Sequence, residues 1–291
     1  MGVLFGRTNI RIGDLDLAGV DDTGVEIGID TPDGWSGQPA SSGQADAKTL
    51  ANGGIVSAGY AATRNIGLSG WLRSPDADVL TTGIDRLNSM LEPRNARRLE
   101  VTENGQTRWV NARRLDEVTI SRQSLWYATW SAQFAAIGKD PSQGEWRKFG
   151  DDIVDTTLLP ASSGGLTVPF TVPFEIDATT VTGQIGITNP GNATGPVQLR
   201  IDGPVVGPII THVSSGIAFV FSSSLALAAG EWLDVDMEAR TVLANGQASR
   251  GGWVVQRGWF GFDPGDNVFA FTAAQFSPAA RLTVTATPAW L

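Results

Sequence analysis

Cysteine is absent from the 291 residues, which excludes disulfides and thiolate-bound metal. Histidine occurs once, at His212, so metal sites built on imidazoles are excluded as well. A Ser–His–Asp site would have to use that one residue, and no G-x-S-x-G turn accompanies it; His212, near a strand end, reads as structural. There is no G-x-x-x-x-G-K-S/T phosphate loop and no complete EF-hand pattern. No stretch approaches 18 uninterrupted apolar residues, so no membrane insertion is expected. The opening residues MGVLFGRTNIRIG lack a charged region followed by an apolar core and do not read as a signal peptide. Lysine occurs only three times against 18 arginines, and the net charge is −9. That balance argues against a surface that coats nucleic acid, which needs clustered cations.

What is present is strand. The length suits about two domains, and 42% hydrophobic with 18% charged residues suffices for a sizeable core. Val197, Leu199 and Ile201 alternate with Gln198, Arg200 and Asp202, the period of a half-buried strand. Ile217, Phe219 and Phe221 alternate likewise, and Leu233, Val235 and Met237 oppose Asp234, Asp236 and Glu238. Asn245-Gly246 suits a hairpin turn because both residues tolerate positive φ. Short strands over 253–256, 259–262, 267–272 and 281–287 complete a β-sandwich or jelly roll.

The N-terminal part reads as strands over 9–17, 25–30 and 60–70, then a helix over 76–91, then strands on both sides of a second hairpin dipeptide, Asn104-Gly105. In the helix Leu80, Ile84, Leu87 and Leu91 share one face, and Pro93 ends it. The fold class expected is therefore mainly β: an N-terminal β domain with one packed helix over 1–145, a Gly-, Pro- and Ser-rich linker over 146–165, and a β-sandwich over 166–291. The stretch 32–55 is poor in large apolar residues and reads as a loop without structure of its own, either disordered or ordered from outside.

Candidate chemistry is thin. Asp234 and Asp236 share a strand face roughly 7 Å apart, a spacing open to a glycosidase pair, to calcium with Glu238, or to a merely solvated face. The ten tryptophans could pack cores, anchor interfaces or stack on sugars. No catalytic, cofactor-binding or metal-ligating residue is assigned.

Four segments of the second half carry a resemblance: GGLTVPFTVPF (164–174), ITNPGNATGPVQLRIDGP (187–204), LALAAGEWLDVDMEARTVLANG (225–246) and PGDNVFAF (264–271). In this order and spacing they resemble the C-terminal, galectin-like domain of siphovirus distal tail proteins. RNIGLSGWL (64–72), the helix ending at Pro93, the Asn104-Gly105 hairpin and FAAIGKDP (134–141) resemble the same family's N-terminal domain. The resemblance implies a non-enzymatic virion protein, assembled in the bacterial host cytoplasm, that forms a homo-oligomeric, hexameric ring at the tail tip. It implies contact with the tail tube protein above and the tail hub or tail-associated lysin below, with outward sandwiches that dock tail fibres or receptor-binding proteins. A lectin-like carbohydrate-binding protein is the alternative. On this reading the acidic charge lines a lumen formed by the N-terminal domain, and the loop 32–55 is an arm reaching a neighbouring subunit. Trp35 and Tyr60, near its ends, are the candidate assembly contacts.

Overall fold

The computed structural model describes residues 8–30, 32–163, 179–181, 183–275 and 277–291; the first seven residues and the 164–174 motif lie outside them. The chain divides into two compact units, the first ending at Gly150 and the second beginning at Asp151. Each has its own hydrophobic core. Residues 146–165 hold strands at Lys148–Phe149, Ile153–Leu158 and Ala161–Ser163.

The first unit contains β1 (Thr8–Ile12), β2 (Leu15–Asp16), β3 (Gly19–Val20), β4 (Glu26–Ile29), β5 (Ala45–Ala47), β6 (Gly54–Val56), β7 (Asn65–Arg73), α1 (Ala77–Met90), β8 (Arg97–Glu103), β9 (Gln106–Arg114), β10 (Thr119–Arg122), β11 (Tyr127–Ile137) and β12 (Lys148–Phe149). One antiparallel sheet runs β2-β1-β8-β9-β11-β7-β4-β3, with β10 beside β11 and β12 beside β9. Alternation explains its buried face: Ile10 and Ile12 of β1, Leu99 and Val101 of β8, Ile66, Leu68 and Leu72 of β7 all enter the core. The β8–β9 turn is the expected one, with Asn104 and Gly105 at φ 52° and 79°.

The helix forms where its periodicity places it. Asp76 caps it, accepting hydrogen bonds from the backbone N–H of Asp78 at 2.7 Å and of Val79 at 3.4 Å. Leu80 and Leu87 face the core. Between them Gly83 admits Val25, whose methyl would lie 2.7 Å from an added Cβ. Substituting a larger residue there would separate helix and sheet.

The second unit contains β13 (Ile153–Leu158), β14 (Ala161–Ser163), β15 (Thr179–Val181), β16 (Gln184–Asn189), β17 (Val197–Asp202), β18 (Val205–His212), β19 (Ile217–Phe221), β20 (Ala226–Leu227), β21 (Trp232–Asp236), β22 (Thr241–Ala244), β23 (Ala248–Ser249), β24 (Val254–Arg257), β25 (Gly265–Gln275), β26 (Arg281–Ala286) and β27 (Ala289–Trp290). Two antiparallel sheets, β13-β26-β17-β21-β22-β23 and β16-β25-β18-β19-β24, form the sandwich. Its core interleaves Leu199, Ile201, Leu233, Val235, Leu282 and Val284 of one sheet with Phe219, Phe221, Phe269 and Phe271 of the other. The expected strand over 259–262 is replaced by an irregular segment. Phe260 and Phe262 enter the core from it, and Phe262 makes an isolated bridge to Gly195. Asn245 and Gly246 both take positive φ, in a β22–β23 connection that pairs Ala244 with Ala248.

Candidate functional site

The polar groups weighed for catalysis are engaged structurally. Asp234 accepts a hydrogen bond from Trp232 Nε1 at 2.8 Å, and the guanidinium of Arg200 lies 4.5 Å from the ring centroid of Trp232. Asp236 Oδ1 accepts from the backbone N–H of Glu238 and Ala239, closing the β21–β22 turn. His212 is wholly buried, stacked on Phe260 and Phe269. Its ring nitrogens meet Ser215 Oγ at 2.8 Å and Asn267 Oδ1 at 2.9 Å. Asn267 in turn donates to the carbonyls of Asp263 and Gly265, so its Oδ1 is left to accept from His212. Nε2 therefore carries a proton, which it donates to Asn267 Oδ1. Among the described residues no group of three or more metal-ligating side chains comes together.

The loop of small residues is the most conspicuous surface feature, and it is not structureless. Residues 40–62 form a two-stranded arm in which β5 and β6 pair only with each other. The ladder begins at Ala40, whose carbonyl accepts from Ala62 N–H at 2.8 Å, and continues through Ser42 and Tyr60 and through Gln44 and Ser57. Ser57 Oγ accepts from Gln44 N–H, and Ser42 Oγ from Tyr60 N–H. The glycines permit the close approach, since a Cβ on Gly43 would lie 3.1 Å from Gly59 Cα. Composition misled here because hydrogen bonds, not burial, hold the arm: every residue from 40 to 62 is exposed. Leu50, at the tip, is 99% exposed and Tyr60 is 75% exposed.

Trp35 and Tyr60 therefore part company. Tyr60 is on the open arm. Trp35 is only 2% exposed and belongs to the core of the first unit, which corrects the expectation of two surface anchors: its indole is already covered within its own unit. Gly34, at φ 72°, turns the chain inward beside Asn65, whose carbonyl would lie 2.1 Å from any Cβ at position 34. Arg64 then ties this root together. It donates through Nη1 to the carbonyls of Gly34 at 2.8 Å, Trp35 at 3.1 Å and Gly37 at 2.6 Å, and through Nε to that of Trp146 at 3.2 Å. Lys148 Nζ donates to the same Trp35 carbonyl at 3.0 Å and lies 5.7 Å from the Trp35 ring centroid. Beside them Arg147 and Glu145 form a buried bidentate pair, both contacts at 2.9 Å.

Sequence reading missed Arg64 and Lys148 as a pair because 84 positions separate them and the second lies in a stretch with linker composition. The aromatic neighbours Trp146 and Phe149 were the only local signal. Burial is the main reason the Lys148 ammonium is held down to about 8; the charges of Arg64 and Arg108 add to it, and Glu103 opposes. The unfolded chain keeps a lysine proton up to about pH 10.4. Between pH 8 and that value the unfolded state binds more protons, so stability rises with pH. The expected gain is about 3 kcal/mol, read as an alkaline rise in the denaturation midpoint that Lys148→Met abolishes.

Charge is divided unevenly. Residues 1–150 carry 16 basic and 18 acidic residues, a net of −2, whereas residues 151–291 carry 5 and 12, a net of −7. The acidity expected of a lumen in the first unit sits mainly in the second.

The chain is thus mainly β in two units, one a two-sheet sandwich and the other a sheet with one packed helix and an exposed arm. Residues 191–290 match the family described as siphovirus-type tail component, C-terminal domain. That match covers about a third of the chain, all of it within the second unit. The fold of the chain is that of Dit (gp 19.1) of phage SPP1, described as a paradigm of the hub adsorption apparatus in phages infecting Gram-positive bacteria. That match has a TM-score of 0.65 at 12% identity over 98% of this chain and 100% of that one. Two structures of the phage p2 baseplate in its activated conformation, with Sr and with Ca, align at TM-scores of 0.48 and 0.49. Both are 11% identical, over 96% of this chain and 98% of theirs. A search of curated proteins finds no match to the sequence.

Proposed function

We propose that the protein is a ring-forming adaptor of the phage tail tip, in which the first unit builds a closed, six-membered ring and the second carries outward docking surfaces. The observation that carries this reading is the arm. An isolated two-stranded hairpin is marginal in water, and this one leaves Leu50, Ile55, Val56 and Tyr60 exposed. A neighbouring copy of the same chain supplies the missing contacts, as a head-to-tail interface repeated around a ring requires. The ring joins the tail tube protein on one side and the hub or tail-associated lysin on the other. The sandwich docks fibre or receptor-binding components. The protein works by forming interfaces, without catalysis and without holding DNA. It is assembled in the host cytoplasm and remains in the virion.

Native mass spectrometry and negative-stain microscopy of the full chain, alone and with the tail tube protein, test this. Closed rings of six are expected at high concentration or with tube protein. A monomer under every condition, including saturating tube protein, overturns the reading.

A further inference from the structure

The root of the arm holds more hydrogen-bond donors than acceptors. Arg64 is wholly buried, and its Nη2 has no partner among the described residues. Lys148 is 2% exposed, and its ammonium, which carries three hydrogens, makes one hydrogen bond, to Trp35 O. That carbonyl also accepts from Arg64 Nη1. Two like charges are thus held within two hydrogen-bond lengths of each other, away from water, with donor hydrogens to spare. Glu145 does not fill the gap. Its Oε1 accepts from the backbone N–H of Trp146 and Arg147 and from Arg147 Nε, and its Oε2 accepts from Arg147 Nη2.

Buried charges persist when something of opposite sign or matching hydrogen-bonding capacity meets them. A water molecule would supply an acceptor but no charge. We propose that Arg64 and Lys148 form a binding site for one small inorganic anion of chloride size at the root of the arm. Both groups are shielded from solvent, which favours a monoatomic ion over phosphate or a carboxylate on a partner. The ion would cross-link the strand leaving the arm at Arg64 to β12, and so fix the direction in which the arm leaves the unit. This inference stands apart from the tail-adaptor reading.

Proton and anion are linked at this site. The charged groups acting on Lys148 are Arg64, Arg108 and Glu103, and Glu145 acts on Arg64. A bound anion favours the protonated ammonium, so anion affinity falls as pH rises past about 8. The test is thermal unfolding of the full chain at constant ionic strength in sodium chloride, sodium bromide and sodium gluconate, with bromide-soaked crystals beside it. A saturable rise in Tm of about 2–4 °C in either halide over gluconate is expected at pH 7. It shrinks at pH 9.5 and is lost in Lys148→Met. An anomalous bromide peak within hydrogen-bond reach of Arg64 Nη2 and Lys148 Nζ is expected in the unmodified protein, whether or not the variant folds. No peak there, water alone between the two groups, or an equal halide effect in Lys148→Met overturns the proposal.

Discussion

Excising residues 40–62 and joining position 39 to position 63 through two glycines will leave the melting temperature within about 1 °C of the parent and abolish ring formation. Two observations make the first half of that expectation firm. The arm's residues are all exposed, so its removal uncovers no core. The ends to be joined are adjacent already, since Ala40 O and Ala62 N are hydrogen-bonded at 2.8 Å. Trp35, Arg64 and Lys148 lie outside the excised stretch, so the root stays closed over the core. The second half follows if the arm is the inter-subunit contact, because a hairpin that reaches a neighbour contributes nothing in the monomer and everything at the interface. Sedimentation velocity with tube protein reads it directly. Rings that persist without the arm would move the contact elsewhere on the first unit, and a large loss of Tm would show that the arm packs on its own unit after all.

Phe269→Ala will lower the stability of the second unit by about 3–5 kcal/mol, the cost of an emptied aromatic site in a closely packed core. Phe269 is wholly buried, 5.0 Å from the His212 ring centroid and 5.6 Å from that of Phe260. Its loss removes one wall of the stack that keeps His212 dry, and lets water reach the His212–Asn267 hydrogen bond. Because the two units have separate cores, calorimetry should show one transition shifted down and the other in place. A uniform shift of both would show that the units melt as one.

Much of this architecture was legible in the residues. Period-2 alternation in β17 and β21 placed Val197, Leu199, Ile201, Leu233 and Val235 inward, and all five are core. Asp76 and the spacing of Leu80, Leu87 and Leu91 marked the helix, because cap and periodicity are properties of consecutive residues. The sandwich could likewise be read as a class, since alternation and turn dipeptides act over a few positions.

The arm and its root were decided by tertiary structure. Residues 40–62 lack the apolar payload from which folded segments are read, and their pairing is carried by backbone groups and by Ser42 and Ser57 hydroxyls, which composition does not count. Trp35 had the chemistry of an exposed anchor and of a core residue alike. Only the arrival of Arg64 and Lys148, from 29 and 113 positions away, placed it inside. Local sequence sets which face of a strand is apolar. Which distant cations meet over one carbonyl oxygen is set by the order in which strands pair, and that order is a property of the whole sheet.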